Sequence, residues 1–313
     1  MLADRVDSEF DDQQDRAENI RRISQISEYA MPVFPSPLDT DPDIWGLTAV
    51  MTDRTFHATP SNSEKETHFG YQSIPESEKE EKVKEVFERV ADTYDLMNDA
   101  MSLGVHRLWK DHFVKSAAPK PTFKCLDVAG GTGDIAFKLH KYMRNVNRDC
   151  EKIVVCDINT EMLRVGEERA AQMGVGENFT WVEGNAEVLQ FPDNTFDLYT
   201  IAYGIRNCTH IDKVLEEAYR VLKPGGRFMC LEFSEVNNPL ISQVYDKYSH
   251  DVIPVMGQLI AGDFESYQYL VESIRKFPNQ ETFAEMVAAA GFEVVEYENL
   301  TFGVTAIHSG YKL

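Results

Sequence analysis

The sequence lacks the cysteine pairs that would indicate a disulfide framework or a structural zinc site. Its 313 residues include five cysteines, and no two of them form a C-x-x-C pair. Three of the five lie in apolar runs typical of strands, as expected of buried thiols in a reducing compartment. The cysteine pattern therefore predicts neither disulfides nor a bound metal.

Positive charge is also scarce. Lysine and arginine total 31 against 52 aspartates and glutamates, which gives a net charge of −21. DNA or RNA would meet a repulsive surface, and no basic stripe offsets it. The composition therefore argues against nucleic acid as a partner.

Long hydrophobic runs are missing as well. The longest candidate, residues 252–262, is interrupted by Pro254 and Gly257, so no membrane span is predicted. The overall hydrophobic content of 43% nevertheless suffices for a sizeable core.

Residues 1–66 differ from the remainder of the chain. Residues 1–60 hold twelve acidic and five basic residues, a proline cluster and no sustained periodicity. This composition predicts a disordered acidic tail. Residues 1–28 are also too acidic for an Arg-rich mitochondrial presequence.

A single folded domain is predicted over residues 67–313. It opens with a helical segment at 77–118, in which Val83, Val86, Phe87 and Val90 recur at helical spacing, and this spacing predicts a helix ending near Asn98. An insertion at about 236–277 could form a substrate lid or simply complete the core.

Strands and helices then alternate along the chain. Such alternation predicts an α/β fold with an open, mostly parallel sheet and helices on both faces. The last two strands, joined by a short connection, should pair antiparallel at one edge. The predicted strands cover residues 123–129, 152–158, 179–182, 196–203, 227–233, 292–297 and 304–312.

The first of these strands runs directly into the glycine loop 130–133 and then a helix, which predicts a ligand over its carboxyl end. Asp127 and Asp134 place negative charge where the pyrophosphate of NAD would bind. S-adenosylmethionine has no phosphate and carries an ammonium and a sulfonium group. The loop therefore favours S-adenosylmethionine over NAD, with a simple tight turn as the alternative without a ligand.

Two later strands end in further polar candidates. Asp157 closes the second strand, where a carboxylate can accept both ribose hydroxyls, although it could also be an exposed acid. Asn185 and Ala186 follow the third strand. A small residue beside an amide suits adenine, a role that the chemistry alone leaves open.

Several longer motifs stand outside the loop. They are YDLMND at 94–99, SLGVHRLWK at 102–110, GIRN at 204–207, YRVLKPGG at 219–226, YQYLVESI at 267–274 and AIHSG at 306–310. Together with the loop, they resemble the C-methyltransferases of ubiquinone and menaquinone biosynthesis, within the class I S-adenosylmethionine-dependent methyltransferases. The last two are similar to the mitochondrial branch, whose members methylate 2-methoxy-6-polyprenyl-1,4-benzoquinol.

The resemblance implies a Rossmann-like sheet of seven strands with the last inserted antiparallel. It also implies methylation of the quinol ring to the 5-methyl product, with S-adenosylmethionine as donor. Ala202 departs from the family pattern, because bacterial relatives often have serine there. The expected donor contacts are Asp127, Gly131, Thr132, Gly133, Asp157, Asn185, Ala186 and Ala202.

Arg206, just past the fourth strand, is the leading catalytic candidate. A guanidinium stays protonated, so we expect it to stabilise a developing phenolate, directly or through water, and not to remove the proton alone. Tyr94, His106 and Asn207 rank second. Core packing is the alternative for Tyr94, and a hydrogen-bonded structural role is the alternative for His106.

The resemblance further implies a polyprenyl benzoquinol substrate, other subunits of a quinone-biosynthesis complex and peripheral contact with the matrix side of the mitochondrial inner membrane. It allows a homodimer. Two other classes of function stay open on the sequence. One is a scaffold subunit that binds the donor with little turnover, and the other is an NAD-dependent oxidoreductase on the same sheet.

Overall fold

The computed structural model describes residues 65–90 and 93–313, without the side chains of residues 94 and 95. The predicted acidic tail at 1–66 lies outside the described residues except for its last two. Of these, Glu66 already belongs to a strand.

The described chain opens with a hairpin that the sequence did not predict. Strand β1 (Glu66–Phe69) pairs antiparallel with β2 (Gln72–Pro75). Helices α1 (Glu76–Val90), α2 (Tyr94–Ser102) and α3 (Val105–Ala117) follow. The prediction of one helix continuing to Asn98 is therefore wrong, because α1 ends at Val90. The apolar period persists across the break because Val90 and Met97 pack into the same cluster.

The central sheet is built from seven strands. Their carboxyl ends determine where the site forms, because loops leave the parallel strands there. The strands are β3 (Cys125–Val128), β4 (Ile153–Asp157), β5 (Phe179–Glu183), β6 (Phe196–Ala202), β7 (Leu222–Phe233), β8 (Glu293–Leu300) and β9 (Thr305–Tyr311). Helices α4 (Asp134–Val146), α5 (Thr160–Gln172), α6 (Ile211–Val221) and α10 (Gln280–Ala289) connect or flank them.

The strand order is β5-β4-β3-β6-β7-β9-β8. Strands β3 to β7 pair parallel, and β9 is inserted antiparallel between β7 and β8. The predicted fold, including the antiparallel last strand, is confirmed. The start of β7 differs from the prediction, because its pairing begins at Leu222 and not at residue 227.

Alternating strand residues bury both faces of the sheet, as a doubly covered sheet requires. On one face, Cys125 and Leu198 pack with side chains of α3, α4 and α5. On the other, Leu126 and Tyr199 pack with side chains of α6 and α10. The five cysteines are free thiols.

Three helices fill the insertion after β7, namely α7 (Pro239–Asp251), α8 (Ile253–Ala261) and α9 (Phe264–Lys276). Asn238 caps α7 through hydrogen bonds from two backbone N–H groups, and Asp263 caps α9. Helix α9 contacts α1, so the insertion and the N-terminal segment pack together. Of the helices in the described part, none is long and apolar enough to cross a membrane.

Candidate active site

An open cavity of about 1150 Å³ lies over the carboxyl ends of β3, β4, β5 and β6. We call it the loop cavity, because residues 130–132 form its floor, and α1 closes it from above with Val83 and Phe87. The site therefore forms where parallel α/β sheets usually bind ligands.

Backbone geometry explains the glycines of the floor. Gly131 adopts a φ of +51°, which favours glycine, and a Cβ on Gly130 would lie 2.6 Å from Val155 Cγ1. Both residues line the cavity, although only Gly131 was predicted. Gly133 has a φ of +83°, and a Cβ there would lie 2.6 Å from the Trp181 ring. It stands behind the lining, so its part is to let the chain enter α4.

Asp157 is fixed at the end of β4 by two backbone groups. Its Oδ2 accepts a hydrogen bond from Gly131 N–H and its Oδ1 one from Asn159 N–H, both at 2.8 Å. Burial raises the pKa of Asp157, and these backbone bonds oppose the rise. Each carboxylate oxygen keeps a second acceptor position. Asp157 can therefore accept two neighbouring hydroxyls, as the prediction of ribose binding requires.

The other predicted donor residues lie along the same cavity. Asn185, Ala186 and Ala202 all line it. The Asn185 amide donates to Glu80 Oε2 at 2.8 Å, which ties α1 to this wall. Thr132 also lines the cavity, and its hydroxyl accepts a hydrogen bond from Arg169 at 2.9 Å. The structure brings these residues together around one elongated space.

Asp127 is the most deeply buried acid of the loop cavity. It is 1% exposed, and its Oδ1 accepts a hydrogen bond from the Thr200 hydroxyl at 2.7 Å. Its Oδ2 is buried without a hydrogen-bond partner among the described residues. Burial raises the pKa of Asp127 to about 7, and the Thr200 bond only partly opposes this rise. A cationic ligand would stabilise its charged form.

The lining fits S-adenosylmethionine. Asp127, Asp134 and Asp157 surround the glycine loop, so a positively charged ligand with free ribose hydroxyls is favoured there and a pyrophosphate is opposed. In the part of the chain that the structure describes, no group of three or more His, Cys, Asp or Glu side chains could hold a metal.

Binding of the methyl donor should release a proton from Asp127, and this release can be measured. We expect S-adenosylmethionine, a net cation, to lower the pKa of Asp127 and to release about half a proton on binding at pH 7. S-adenosylhomocysteine, which lacks the sulfonium charge, should release less. Titration calorimetry in two buffers of different ionisation enthalpy measures this difference. The difference between the ligands should vanish in Asp127→Asn, and equal release from the unchanged protein would contradict the assignment.

A second cavity of about 1000 Å³ lies between the N-terminal segment and the insertion. We call it the aromatic cavity. Most of its lining is apolar or aromatic, which suits a ring with a hydrocarbon tail. The insertion supplies Tyr245, Tyr248, Ile253, Tyr267, Tyr269, Leu270 and Ile274 to its wall.

Arg206 brings a positive charge to this cavity. It is 6% exposed, and its Nη1 donates to Glu232 Oε1 at 2.9 Å and to the Tyr203 carbonyl. Its Nε faces the Ser273 hydroxyl at 3.3 Å, and its guanidinium lies over the Phe233 ring. Its Nη2 bonds to no described residue and is the donor left for a substrate oxygen.

Glu232 is a functional candidate that the sequence analysis missed. It is 1% exposed and sits next to the carboxyl end of β7, where it also accepts a hydrogen bond from Phe233 N–H. Burial raises the pKa of Glu232, and the Arg206 charge opposes the rise. The sequence could have identified Glu232, because an acid inside the apolar run 228–233 needs a buried partner.

The second-rank catalytic candidates divide between the cavities. His106 lines the aromatic cavity, and its Nδ1 lies 2.8 Å from the Ser102 hydroxyl. Burial, together with Lys110, lowers the pKa of His106 to about 4, so the ring is neutral at pH 7. Asn207 lines the loop cavity instead and accepts a hydrogen bond from Tyr269. The side chain of Tyr94 lies outside the described part.

Among the described residues, the two cavities meet at three side chains. Phe87, Lys110 and Tyr203 line both of them. A group on a ligand in the loop cavity can therefore face a ring in the aromatic cavity. This arrangement suits transfer of a small group between two bound molecules.

Comparison with known proteins identifies the relatives. The sequence model of the ubiE/COQ5 methyltransferase family matches residues 76–312. A Drosophila melanogaster protein is 58% identical over 262 residues, which cover 81% of this chain and 87% of that protein. A Homo sapiens protein is 54% identical over 277 residues, which cover 79% and 85%. Both are named 2-methoxy-6-polyprenyl-1,4-benzoquinol methylase, mitochondrial.

Solved structures agree on the fold. A Thermotoga maritima protein described as an S-adenosylmethionine-dependent methyltransferase, possibly a histamine N-methyltransferase, superposes with a TM-score of 0.50 at 18% identity, covering 73% of this chain and 99% of that one. A putative O-methyltransferase from Nostoc punctiforme also gives 0.50, at 15% identity, covering 71% and 59%. At these identities the likeness concerns the fold alone.

Proposed function

Because the chain belongs to the ubiE/COQ5 methyltransferase family, and is thus an S-adenosylmethionine-dependent methyltransferase, we propose that it methylates carbon 5 of 2-methoxy-6-polyprenyl-1,4-benzoquinol in ubiquinone biosynthesis. The observation that carries this proposal is the junction of the two cavities. A charged loop cavity meets an aromatic cavity whose wall holds Arg206. The curated relatives named for this reaction support the choice of substrate.

The donor would lie along the loop cavity, with Asp157 on the ribose hydroxyls and Asn185 and Ala186 beside the adenine. When bound, S-adenosylmethionine supplies an electrophilic methyl group on its sulfonium. Glycine at position 130 lets the loop pack against β4, since a Cβ there would lie 2.6 Å from Val155 Cγ1.

Arg206 activates the ring carbon. Carbon 5 lies next to the carbon that carries the 4-hydroxyl, so negative charge on that oxygen makes carbon 5 nucleophilic. A cation within hydrogen-bond reach stabilises this charge, and the effect is larger in an apolar cavity than in water. The free Nη2 of Arg206 is the donor for this role. Replacing the hydrogen on carbon 5 by a methyl group releases one proton.

Glu232 orients the guanidinium. It holds Nη1 while Nε donates to Ser273, which leaves Nη2 as the nitrogen for a substrate oxygen. The aromatic wall from the insertion excludes water from the ring, which is the part that we assign to the lid. A near-attack arrangement of ring and methyl donor then requires only that both cavities be filled.

The substrate tail indicates where the protein works. The curated relatives are named mitochondrial, and a polyprenyl chain resides in a bilayer, so we place this chain on the matrix side of the inner membrane as a peripheral protein. Exposed apolar side chains on α7 and α8, among them Leu240, Val244 and Leu259, support a membrane contact. Association with other subunits and a homodimer stay predictions.

The redox state of the acceptor tests the proposed function. We expect label from methyl-labelled S-adenosylmethionine to enter a short-tailed 2-methoxy-6-polyprenyl quinone only after the quinone is reduced, because only the quinol has a hydroxyl to ionise. Scintillation counting of the extracted lipid measures the transfer. Equal labelling without reductant would contradict the phenolate mechanism.

The scaffold alternative makes the opposite prediction, namely donor binding with no labelled product under either condition. No observation on this chain supports it. Asp157 is held by the Gly131 N–H group and Arg206 by Glu232. Such fixed positions favour turnover over donor binding alone.

A further inference from the structure

An ion pair that the proposed mechanism does not use stands where the two cavities meet. Lys110 lies on α3, and Asp134 is the first residue of α4. The Lys110 Nζ donates to Asp134 Oδ2 at 2.7 Å. The Lys110 side chain is 8% exposed and that of Asp134 33%, so the carboxylate is the more accessible partner. Both residues line the loop cavity, and Lys110 also lines the aromatic cavity.

The strand order assigns this pair to one end of a bound donor. Asn185 and Ala186 follow β5, and Asp157 ends β4, so adenine and ribose lie over those two neighbouring strands. The remainder of the donor must continue over β3, whose loop leads into Asp134. The remainder is the methionine part, which ends in an α-ammonium and an α-carboxylate.

We propose that Lys110 and Asp134 form the receptor for this amino acid end, with the Lys110 ammonium on the α-carboxylate and the Asp134 carboxylate on the α-ammonium. The inference rests on the proposed function, because it takes S-adenosylmethionine as the ligand. The pair would then favour donors that carry the amino acid end, because ligands without this end lose the contacts with Lys110 and Asp134.

The chemistry of the two side chains supports the assignment. The Lys110 ammonium is a compact positive charge, which suits a carboxylate. Buried alone, the Asp134 carboxylate would have a raised pKa, but Lys110 holds that pKa at about 2. The Asp134 carboxylate is therefore charged at neutral pH. Two opposite charges side by side complement the two opposite charges of a zwitterion.

A purely structural tie between α3 and α4 is the competing explanation. The same two helices carry a second ion pair, Lys138 Nζ to Asp111 Oδ1 at 2.7 Å. This pair lies outside the lining of both cavities. It is therefore a matched control, because its removal loosens the same helix contact and leaves both receptor side chains in place.

The first experiment compares two ligands that differ only in the amino acid end. Titration calorimetry measures the dissociation constants of S-adenosylhomocysteine and of methylthioadenosine, which lacks both charged groups. The double variant Lys110→Gln/Asp134→Asn removes both charges together, so no buried charge is left unpaired. We expect it to bind S-adenosylhomocysteine about 10- to 100-fold more weakly and methylthioadenosine within about twofold of the unchanged protein.

The second experiment separates the two side chains. Decarboxylated S-adenosylmethionine keeps the ammonium and lacks the carboxylate. Lys110→Gln should therefore weaken binding of S-adenosylmethionine but not of the decarboxylated compound. Asp134→Asn should weaken binding of both. Methylthioadenosine binding reports whether each variant is folded.

The outcomes distinguish the proposals. Equal losses for S-adenosylhomocysteine and methylthioadenosine in the double variant, or the same losses in Lys138→Gln/Asp111→Asn, would make the pair structural and overturn the inference while the proposed function stands. Unchanged affinity of the Lys110→Gln/Asp134→Asn variant for S-adenosylhomocysteine would also overturn the inference and leave the proposed function standing. If the unchanged protein bound neither ligand, the proposed function would fail and the inference with it.

Discussion

Replacing Arg206 by alanine is expected to lower kcat for quinol methylation about 100- to 1000-fold, the effect typical of losing one donor to a developing oxyanion. Affinity for S-adenosylhomocysteine should stay near that of the unchanged protein, because Arg206 borders the aromatic cavity and not the loop cavity. Steady-state kinetics with a short-tailed quinol and calorimetry with the product measure the two quantities.

The control for Arg206→Ala is a double variant that also removes the charge of Glu232. Arg206→Ala leaves Glu232 without its counter-charge, so part of the loss could reflect local rearrangement. Arg206→Gln/Glu232→Gln removes both charges, keeps similar volumes and should show the same loss of kcat. A loss of donor affinity in step with kcat, in either variant, would contradict the role given to Arg206.

Replacing Glu232 by alanine is expected to lower the free energy of unfolding by about 3–5 kcal/mol, because it leaves the Arg206 guanidinium buried without a compensating charge. The ion pair is 2.9 Å long, and its side chains are 5% and 1% exposed. Urea denaturation followed by circular dichroism measures the change. Glu232→Gln, which keeps an acceptor for Phe233 N–H, should lose less.

Glu168→Ala is the matched control for this prediction. It breaks the Arg164–Glu168 pair on α5, where the side chains are 53% and 58% exposed. Exposed pairs of this spacing contribute little to stability, because water and salt screen their charges. A similar cost for the two variants would show that burial of the Arg206–Glu232 pair contributes little.

Sequence reasoning located the loop cavity because its determinants are local. A strand, a glycine loop and a helix start are contiguous in 125–134, and Asp157 and Asn185 directly follow neighbouring strands. The carboxyl ends of parallel strands meet at one edge, so chain order alone brings these residues together.

The aromatic cavity could not be derived in this way. Arg206 and Glu232 are 26 positions apart, and Lys110 and Asp134 are 24 apart. Their pairing depends on how α3 and the end of β7 pack, which no local pattern encodes. Resemblance to the family supplied Arg206, whereas Glu232 and Lys110 emerged only from the coordinates.

Periodicity likewise identified a buried face but not a helix boundary. Val90 and Met97 pack into one cluster although α1 ends at Val90 and Met97 belongs to α2. A hydrophobic repeat records which side chains turn inward, and two successive helices can satisfy one repeat. The hairpin of β1 and β2 had no such signal, because its strands have four residues each.

The measurement that tests the central claim most directly locates the transferred carbon. The protein is incubated with a short-tailed quinol and S-adenosylmethionine carrying ¹³C in its methyl group, and the extracted product is examined by NMR. The account predicts a ¹³C methyl signal bonded to ring carbon 5, with loss of the hydrogen at that carbon. A methyl signal bonded to oxygen, or no labelled product despite measurable donor binding, would contradict it.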